Sequence, residues 1–196
     1  MTYDILSALV GFGFATSITP GPNNLMLMTS GANFGFRRTV PHLLGVTLGF
    51  VFMAVLIGLG LARLFDLWPP LRLILKAASL VYMLWLAWKI AHSPPPGLVE
   101  EGRPMTFLQA CAFQWVNPKA WAMGMTAMTA YLSGPGFAAV VLVAAVFGAV
   151  NLPSCCSWVV LGQQMRRVLT DPRHLRAFNW VMALLLIATL WPLLTH

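Results

Sequence analysis

Two helix-breaking motifs inside apolar segments constrain the fold of this 196-residue chain more than any other feature. The first lies in the apolar N-terminal segment and reads Thr19-Pro20-Gly21-Pro22-Asn23-Asn24. A helix cannot run undisturbed through the two prolines, and in a membrane such a break is tolerated only where protein or a water-filled cavity satisfies the freed backbone groups. The second motif, Asn117-Pro118-Lys119, interrupts a later apolar segment, and Pro118 follows Pro20 by 98 positions, which is half of the chain. Broken helices at matching positions of two halves are typical of the substrate site of a membrane transporter.

The composition excludes an ordinary soluble domain. Hydrophobic residues make up 59% of the chain and charged residues 9%, whereas about 25% of the residues of a typical globular protein are charged. The net charge of +7 clusters at the ends of apolar segments, which predicts orientation in a membrane rather than nucleic-acid binding. We therefore expect an all-α integral membrane protein whose partners are the lipid bilayer and a small solute, with no nucleic acid.

Six apolar segments are long enough to span a membrane, because a bilayer core about 30 Å thick needs about 20 apolar residues per helix. They cover residues 5–34, 41–61, 71–90, 105–131, 137–161 and 175–194. Pro41 suits the first turn of the second segment, where no backbone donor is needed, and Pro153 predicts a kink in the fifth.

Six spans divide into a first half at 1–98 and a second half at 99–196, which together form one membrane domain. Each half has three spans, and because three is odd, the second half enters the membrane with the opposite orientation. The sequence therefore predicts two inverted three-helix repeats, with helices 1 and 4 broken at the proline motifs. The proline-rich stretch at 93–104 is the candidate hinge between them.

Basic residues distinguish the two faces of this arrangement. Of the twelve Lys and Arg residues, eight lie on the face reached after the first, third and fifth segments, which we call the basic face. The positive-inside rule makes the basic face cytoplasmic and puts both termini outside. A five-span arrangement with a re-entrant first segment would move one terminus, and the charge distribution argues against it. The eight residues are Arg37, Arg38, Lys89, Arg103, Arg166, Arg167, Arg173 and Arg176.

The breaks supply polar backbone groups in an apolar setting. Each proline leaves the carbonyl four residues earlier without its helical donor, which frees the carbonyls of Thr16, Ile18 and Gln114. A half-helix starts after each break, and its unpaired N–H groups and partial positive charge suit a carboxylate, while freed carbonyls suit an ammonium. The pair of breaks can thus hold both ends of a zwitterion; the alternative is a pair of packing kinks. We predict a substrate site made of Thr19, Pro20, Gly21, Pro22, Asn23, Asn24, Gln114, Asn117, Pro118 and Lys119.

Three further side chains are candidates for function. Lys119 is the most deeply placed charge, and a buried intramembrane cation suggests a role, here binding a substrate carboxylate or capping carbonyls at the break. Lys76 in the third segment and His42 in the second are candidates for coupling or gating. Their alternatives are a lysine that extends to the interface and an interfacial histidine. None of the five acidic residues falls in mid-membrane, so a carboxylate proton relay is not predicted.

With these motifs the chain resembles, over essentially its whole length, the LysE/RhtB family of bacterial amino-acid exporters. The stretches at 85–91, 93–94 and 113–117 look most like the cysteine/O-acetylserine exporter branch of that family. Ser79 and Ala87 depart from the family pattern, since glycines are frequent at those positions. The resemblance rests on the 19–24 motif, Gly35-Phe36-Arg37, Gly45 with Gly49, Leu75-Lys76 with Tyr82, and Asn117-Pro118-Lys119-Ala120.

The resemblance implies a secondary exporter of small neutral amino acids or their derivatives, driven by the proton gradient, in the bacterial inner membrane. It implies no enzymatic activity and no cofactor. Six short spans leave a thin wall around any cavity, which is compatible with a homodimer.

Two other function classes stay open at this point. A membrane thiol or redox carrier would need a cysteine on each broken helix, but Cys111 has Gly13 as its counterpart 98 positions earlier, so the pairing that exchange requires is missing. A metal-ion exporter would depend on Cys155, Cys156 and the distant His42, whose spacing is not that of a metal site. We expect no bound metal.

Overall fold

The computed structural model describes residues 1–93, 103–134, 136–169 and 171–191, and within these ranges the protein is helical and contains no strand. The first half comprises α1 (Tyr3–Ile18), α2 (Pro22–Phe34), α3 (Phe36–Gly58), a 3₁₀ turn (Leu61–Arg63), α4 (Leu64–Leu67) and α5 (Pro70–Ala91). The second half comprises α6 (Phe107–Val116), α7 (Pro118–Tyr131), α8 (Phe137–Val168) and α9 (Pro172–Ala188).

Both predicted breaks are confirmed. The chain is extended at Thr19 and Gly21 between α1 and α2, and Asn117 alone separates α6 from α7. Pro22 and Pro118 each occupy the first position of the helix that follows, where the missing N–H costs nothing.

The second predicted segment starts earlier than expected. α3 begins at Phe36 rather than near residue 41, so Pro41 lies inside the helix and the prediction that it sits in the first turn was wrong. Gly35 explains the difference: its positive φ of 78° ends α2, its N–H donates to Gly31 O at 2.9 Å, and the chain restarts a helix at once. A count of apolar residues could not find this start, because the first turn of α3 carries Arg37 and Arg38.

The later predicted segments are helical, with ends that differ from the prediction. α8 runs through Pro153 as one helix of 32 residues and ends at Val168, seven residues beyond the predicted boundary. A capping box between Thr106 and Gln109 starts α6. The sixth segment contains α9, and its predicted end at 194 lies outside the described residues, as does most of the 93–104 hinge.

By length and composition, three helices can each cross a membrane: α3, α5 and the 137–165 part of α8. α1 and α2, bent by 56° at their break, are a fourth candidate if the pair counts as one span. Large apolar side chains also cover the outside of the helices, for example Phe52, Leu73, Val81 and Trp191. Such a continuous apolar exterior suits contact with lipid.

The interior is apolar on both sides of the breaks. One cluster joins α1, α3, α7 and α8 around Leu9, Phe50 and Phe147. Another joins α2, α5, α6 and α9 around Met83 and Phe113. The breaks therefore lie between two packed regions that hold the half-helices in place.

Close helix contacts depend on glycine. At Gly31 on α2 and Gly162 on α8, an added Cβ would collide with the backbone carbonyls of Val159 and Met28, respectively. α3 approaches α6 in the same manner, because a Cβ on Gly49 would lie 2.6 Å from Cys111 Cα. The small-residue spacing of Gly45 and Gly49 thus serves close helix packing, as is common in membranes.

The ends of several helices meet at one end of the bundle. Phe36 N, at the start of α3, donates to Gln163 Oε1 near the end of α8 at 2.6 Å. Asn33, near the end of α2, exchanges amide hydrogen bonds with Asn179 of α9 at 3.0 and 3.4 Å. These bonds join the two halves at the end where α2 stops and α3 begins.

The glycine contact between α2 and α8 can be tested by alanine substitution. We expect Gly162→Ala to lower the free energy of unfolding by about 1–3 kcal/mol, since neither backbone can yield easily. Gly11→Ala is the matched control: nothing lies within 4 Å of its Cβ, and alanine is favoured over glycine in a helix by about 0.5–1 kcal/mol. Thermal unfolding in detergent measures both. Equal midpoints for the two variants would contradict the close approach.

Candidate functional site

The two breaks meet, although they are about half a chain apart in sequence. The Lys119 ammonium at the second break donates to Thr19 O at 2.9 Å, to Thr19 Oγ1 at 2.8 Å and, more weakly, to Pro20 O at 3.4 Å at the first. An ammonium has three donors, and all three are directed at the first break. Of the two roles predicted for Lys119, the structure therefore shows carbonyl capping.

Gly21 makes room for this lysine. A Cβ at position 21 would lie 2.8 Å from Lys119 Cδ and 3.0 Å from its Nζ. Because Gly21 is in an extended conformation that any residue can adopt, the glycine is required here by space and not by its backbone angles.

The other carbonyls around the first break also have donors. Thr16 O accepts from Thr19 Oγ1 at 2.9 Å, and Ile18 O accepts from the indole N–H of Trp158 at 3.3 Å. Asn24 Nδ2 donates to Ser17 O at 2.6 Å and to Thr19 O at 2.8 Å. The condition for an unwound helix in an apolar environment is thus fulfilled by side chains from both halves of the protein.

Asn23 and Gln114 form a second link between the breaks. Asn23 Nδ2 donates to Gln114 Oε1 at 2.8 Å, and Gln114 Nε2 donates back to Asn23 Oδ1 at 3.1 Å. Gln114 has no exposed surface, and its Nε2 also donates to Ala110 O at 3.0 Å. A reciprocal amide pair this deep fixes the relative position of α2 and α6.

The two half-helix N-termini differ. Asn117 is 1% exposed, and its Oδ1 caps α7 by accepting from Lys119 N at 3.1 Å. α2 has no side-chain cap at its N-terminus, since Gly21 holds that position. An anion in this region would therefore find the N–H groups of α2 more available than those of α7.

A narrow cleft with about 20 Å³ of free internal space lies where these groups converge. Lys119 is the one charged residue in its lining, and no carboxylate of the described part of the chain faces it. Val46, Phe50, Ala120 and Met123 form its apolar wall. The polar wall consists of Thr16, Ser17, Gly21, Asn23, Asn24, Asn117, Lys119 and Asn151.

Ser17 and Asn151 belong to the cleft although the sequence analysis did not select them. Asn151 Nδ2 donates to Ser17 Oγ at 3.1 Å, and its Oδ1 accepts from Thr47 Oγ1 and Cys155 Sγ, each at 3.3 Å. A signal was present, because Asn151 is the one amide within the apolar 137–161 segment and polar residues in spans face the interior. These bonds connect α1, α3 and α8 at the level of the break.

The candidates for coupling lie outside the cleft. Lys76 on α5 is partly buried and is absent from the linings of the two polar cavities. His42 is 2% exposed and lines a second cavity nearer the α2–α3 corner.

The cysteines form no metal or disulfide site within the described residues. All three are free, and no cluster of three His, Cys, Asp or Glu side chains could hold a metal ion there. Cys111 Sγ donates to Gly45 O at 3.3 Å, which serves the α3–α6 contact.

The sequence is similar to known proteins over nearly its whole length. The sequence model of the LysE type translocators matches residues 14–194. The cysteine/O-acetylserine efflux proteins of Escherichia coli strain E24377A and strain K12 are 32% and 31% identical to this chain over 189 residues. The protein of that name from Shigella sonnei is 31% identical, and each of these alignments covers 95% of this chain and 96% of the relative. No solved structure matches this chain.

A double-mutant cycle tests the amide pair. Asn23→Ala and Gln114→Ala should each destabilise the protein by about 1–3 kcal/mol, because each leaves a buried amide without its partner. We expect the double variant to lose less than the sum, by about 0.5–3 kcal/mol. The control cycle combines Asn23→Ala with Thr129→Ala, since Thr129 bonds only within α7. Unfolding in mixed micelles measures each variant, and strict additivity in both cycles would argue against the pair.

Proposed function

This chain belongs to the LysE type translocators, and from that premise we propose that it exports small amino acids or their derivatives across the bacterial inner membrane. As a translocator it is not an enzyme. The observation that carries the proposal is the cleft at the meeting point of the two breaks, in which Lys119 of one half binds the carbonyls of the other.

The proposed architecture is six spans in two inverted repeats, 1–98 and 99–196. The helix contacts support it. Such a repeat relates α1 to α6, α2 to α7, α3 to α8 and α5 to α9, so each contact should have a counterpart. The contact of α3 with α6 corresponds to that of α8 with α1, and the contact of α2 with α8 corresponds to that of α7 with α3. The pairings that the repeat would map onto themselves, α3 with α8 and α5 with α9, occur as well. The basic face would then be cytoplasmic, with both termini in the periplasm.

We propose that the cleft binds the two charged groups of the amino acid. The Lys119 ammonium and the uncapped N-terminus of α2 would receive the carboxylate. The carbonyls of Thr19 and Pro20, which hold Lys119 in the present state, would receive the substrate ammonium once Lys119 turns towards the carboxylate. In this exchange each ammonium keeps oxygen acceptors throughout, because an ammonium without hydrogen-bond partners in the low-dielectric interior would be costly.

Transport requires that links between the halves open and re-form. The Lys119–Thr19 and Asn23–Gln114 bonds both cross from the first half to the second. We propose that substrate binding replaces the first link, and that breaking the second opens the cleft towards α6. Pro20, Pro22 and Pro118 keep the half-helices separate, so that they can move without breaking helical hydrogen bonds.

Charge and wall chemistry favour a small neutral amino acid. The amide and hydroxyl wall matches a short polar side chain, and without a carboxylate in the described lining a second ammonium would lack a counter-ion. The names of the aligned relatives suggest cysteine or O-acetylserine. The proton gradient is the proposed energy source, with Lys76 as the candidate for coupling or gating, and a homodimer is the proposed assembly. His42, the other candidate from the sequence, lines a separate cavity and is assigned no coupling step.

Neither a thiol carrier nor a metal-ion exporter gains support from the geometry. Cys155 is buried and donates to Asn151 in the wall network, and Cys111 faces Gly45 O. Thiol exchange would require a partner cysteine on the first broken helix, and α1 and α2 contain none.

Efflux measurements test the proposed function. Cells preloaded with labelled cysteine, O-acetylserine, threonine, leucine or lysine should lose one of the small neutral solutes faster when the protein is present, and an uncoupler should abolish the difference. No accelerated loss of any of the five, with the protein shown to be in the membrane, would contradict amino-acid export.

Variants at the breaks test the site. We expect Lys119→Met to slow efflux at least tenfold, because its uncharged side chain has no donors, while Lys119→Arg retains part of the activity. Asn23→Ala and Asn24→Ala should also lose transport. Arg72→Gln is the control, since Arg72 is 66% exposed and pairs only with Asp66 at the surface. Normal efflux by Lys119→Met, at equal membrane abundance, would exclude the site assignment.

A further inference from the structure

A second polar cavity lies nearer the end where α2 stops and α3 begins. It has about 80 Å³ of free internal space and is bounded by α2, α3, the end of α5 and the residues just before α6. Its polar lining includes Thr29, Ser30, Asn33, His42, Lys89 and Arg103. We call it the basic-face cavity, because Lys89 and Arg103 belong to the basic face.

His42 is the feature of this cavity that packing does not explain. The imidazole is 2% exposed, and neither ring nitrogen has a hydrogen-bond partner among the described residues. Buried polar groups in proteins are nearly always hydrogen-bonded, and one without a partner destabilises the fold. A leucine of similar size would avoid this cost, and a molecule bound in the cavity would remove it by bonding to the imidazole.

The remaining polar groups are held in place around it. Thr29 Oγ1 donates to Leu25 O at 2.8 Å, and Asn33 Nδ2 donates to Thr29 O at 2.8 Å as well as to Asn179. Thr29 and Asn33 line the same cavity as His42. The wall is therefore preorganised rather than a gap between mobile side chains.

The charge of the cavity selects an anion. Lys89 and Arg103 are its charged residues, and no carboxylate in the described part of the chain lines it. The Lys89 ammonium lies 5.3 Å from the centre of the exposed Trp85 ring. An imidazole N–H in a cavity that Lys89 and Arg103 also line is a suitable donor for the carboxylate of a small molecule.

The two cavities lie one helical turn apart along two helices. On α3, His42 lines the basic-face cavity and Val46 lines the cleft; on α2, Met26 lines the basic-face cavity and Asn23 lines the cleft. One turn rises about 5.4 Å, so a solute that leaves one cavity reaches the other without crossing a thick apolar layer. The Asn23–Gln114 amide pair stands at this boundary.

We propose that the basic-face cavity is an entry site, where His42 binds the carboxylate of the amino acid before it passes to the cleft. This rests on the proposed function and adds to it a second binding site, on the cytoplasmic side from which the exporter takes its substrate. The order of events is then capture of the carboxylate by His42 with Lys89 and Arg103 nearby, opening of the Asn23–Gln114 pair, and transfer to Lys119.

Transport into energised inside-out membrane vesicles, whose outer surface is the basic face, tests the entry site with labelled O-acetylserine as the probe. His42→Leu should raise KM about tenfold and leave the maximal rate per transporter within twofold. It should also keep or raise the midpoint of thermal unfolding, since no hydrogen bond is lost. The matched control is His174→Leu, because His174 is an exposed histidine on α9. In right-side-out vesicles, where the probe enters from the other face, His42→Leu should leave KM unchanged.

Each result decides a different point. Transport by the wild type with an unchanged KM in His42→Leu overturns the entry site and leaves the proposed function standing. No transport of the probe by the wild type, or of the other four amino acids in the same vesicles, overturns the proposed function itself. A loss of maximal rate instead of a rise in KM overturns the entry site as well, because His42 would then act in a later step. If His42→Leu does not accumulate in the membrane, two other variants replace it: Ser30→Ala, and the double variant Lys89→Gln, Arg103→Gln. Both are expected to raise KM, and a wild-type KM in both would overturn the entry site.

Discussion

Backbone carbonyls that have lost their helical donors in an apolar environment are the constraint on which the rest of this structure depends. Pro20, Pro22 and Pro118 remove those donors, and an unsatisfied carbonyl in hydrocarbon costs several kcal/mol. The first break can exist only because Lys119, Asn24 and Trp158 supply hydrogen bonds to it. Two of these three residues belong to the second half of the chain, so the break in one half is stable only when the other half is docked against it. Folding of the two halves and assembly of the site are thus one event.

Much of this could be predicted from the sequence because proline acts locally. The positions of the breaks, the freed carbonyls of Thr16 and Ile18 and the unusual depth of Lys119 all follow from residue type and spacing. Capping by Lys119 was one of two roles that the sequence left open, and only the fold chooses between them. The predicted start of α3 was wrong, because hydropathy locates the apolar part of a helix and not its first residue. Here the helix begins with a polar turn after Gly35 that contains two arginines.

The donors that complete the site could not be assigned in this way. Trp158 meets the first break through a contact 140 positions apart in sequence, and no local pattern reports it. Asn151 stands out as an amide in an apolar segment, but its partner Ser17, 134 positions away, does not follow from that. For His42 the sequence left coupling or gating and an interfacial position open, and it did not predict that the side chain is 2% exposed. On α3, however, side chains four positions apart share one face, and the face with His42, Val46 and Phe50 points inward. In a uniformly apolar helix, the burial of one side chain depends on which other helices pack against it. These tertiary contacts cannot be derived from the local sequence.

The position of the Lys119 ammonium has a consequence for the range of concentrations in which such a protein works. The Lys119 ammonium is held near these carbonyls by its own short, flexible side chain. It therefore competes with a free ammonium for them as a solute would at an effective concentration in the millimolar range. In the proposed mechanism a free amino acid displaces it only when its own concentration becomes comparable. The lysine would then act as a built-in threshold: at ordinary cellular levels the tether wins and the metabolite is retained, and only an excess is released. An exporter of useful metabolites needs such a threshold, because a site that bound its substrate tightly would empty the pool on which the cell depends.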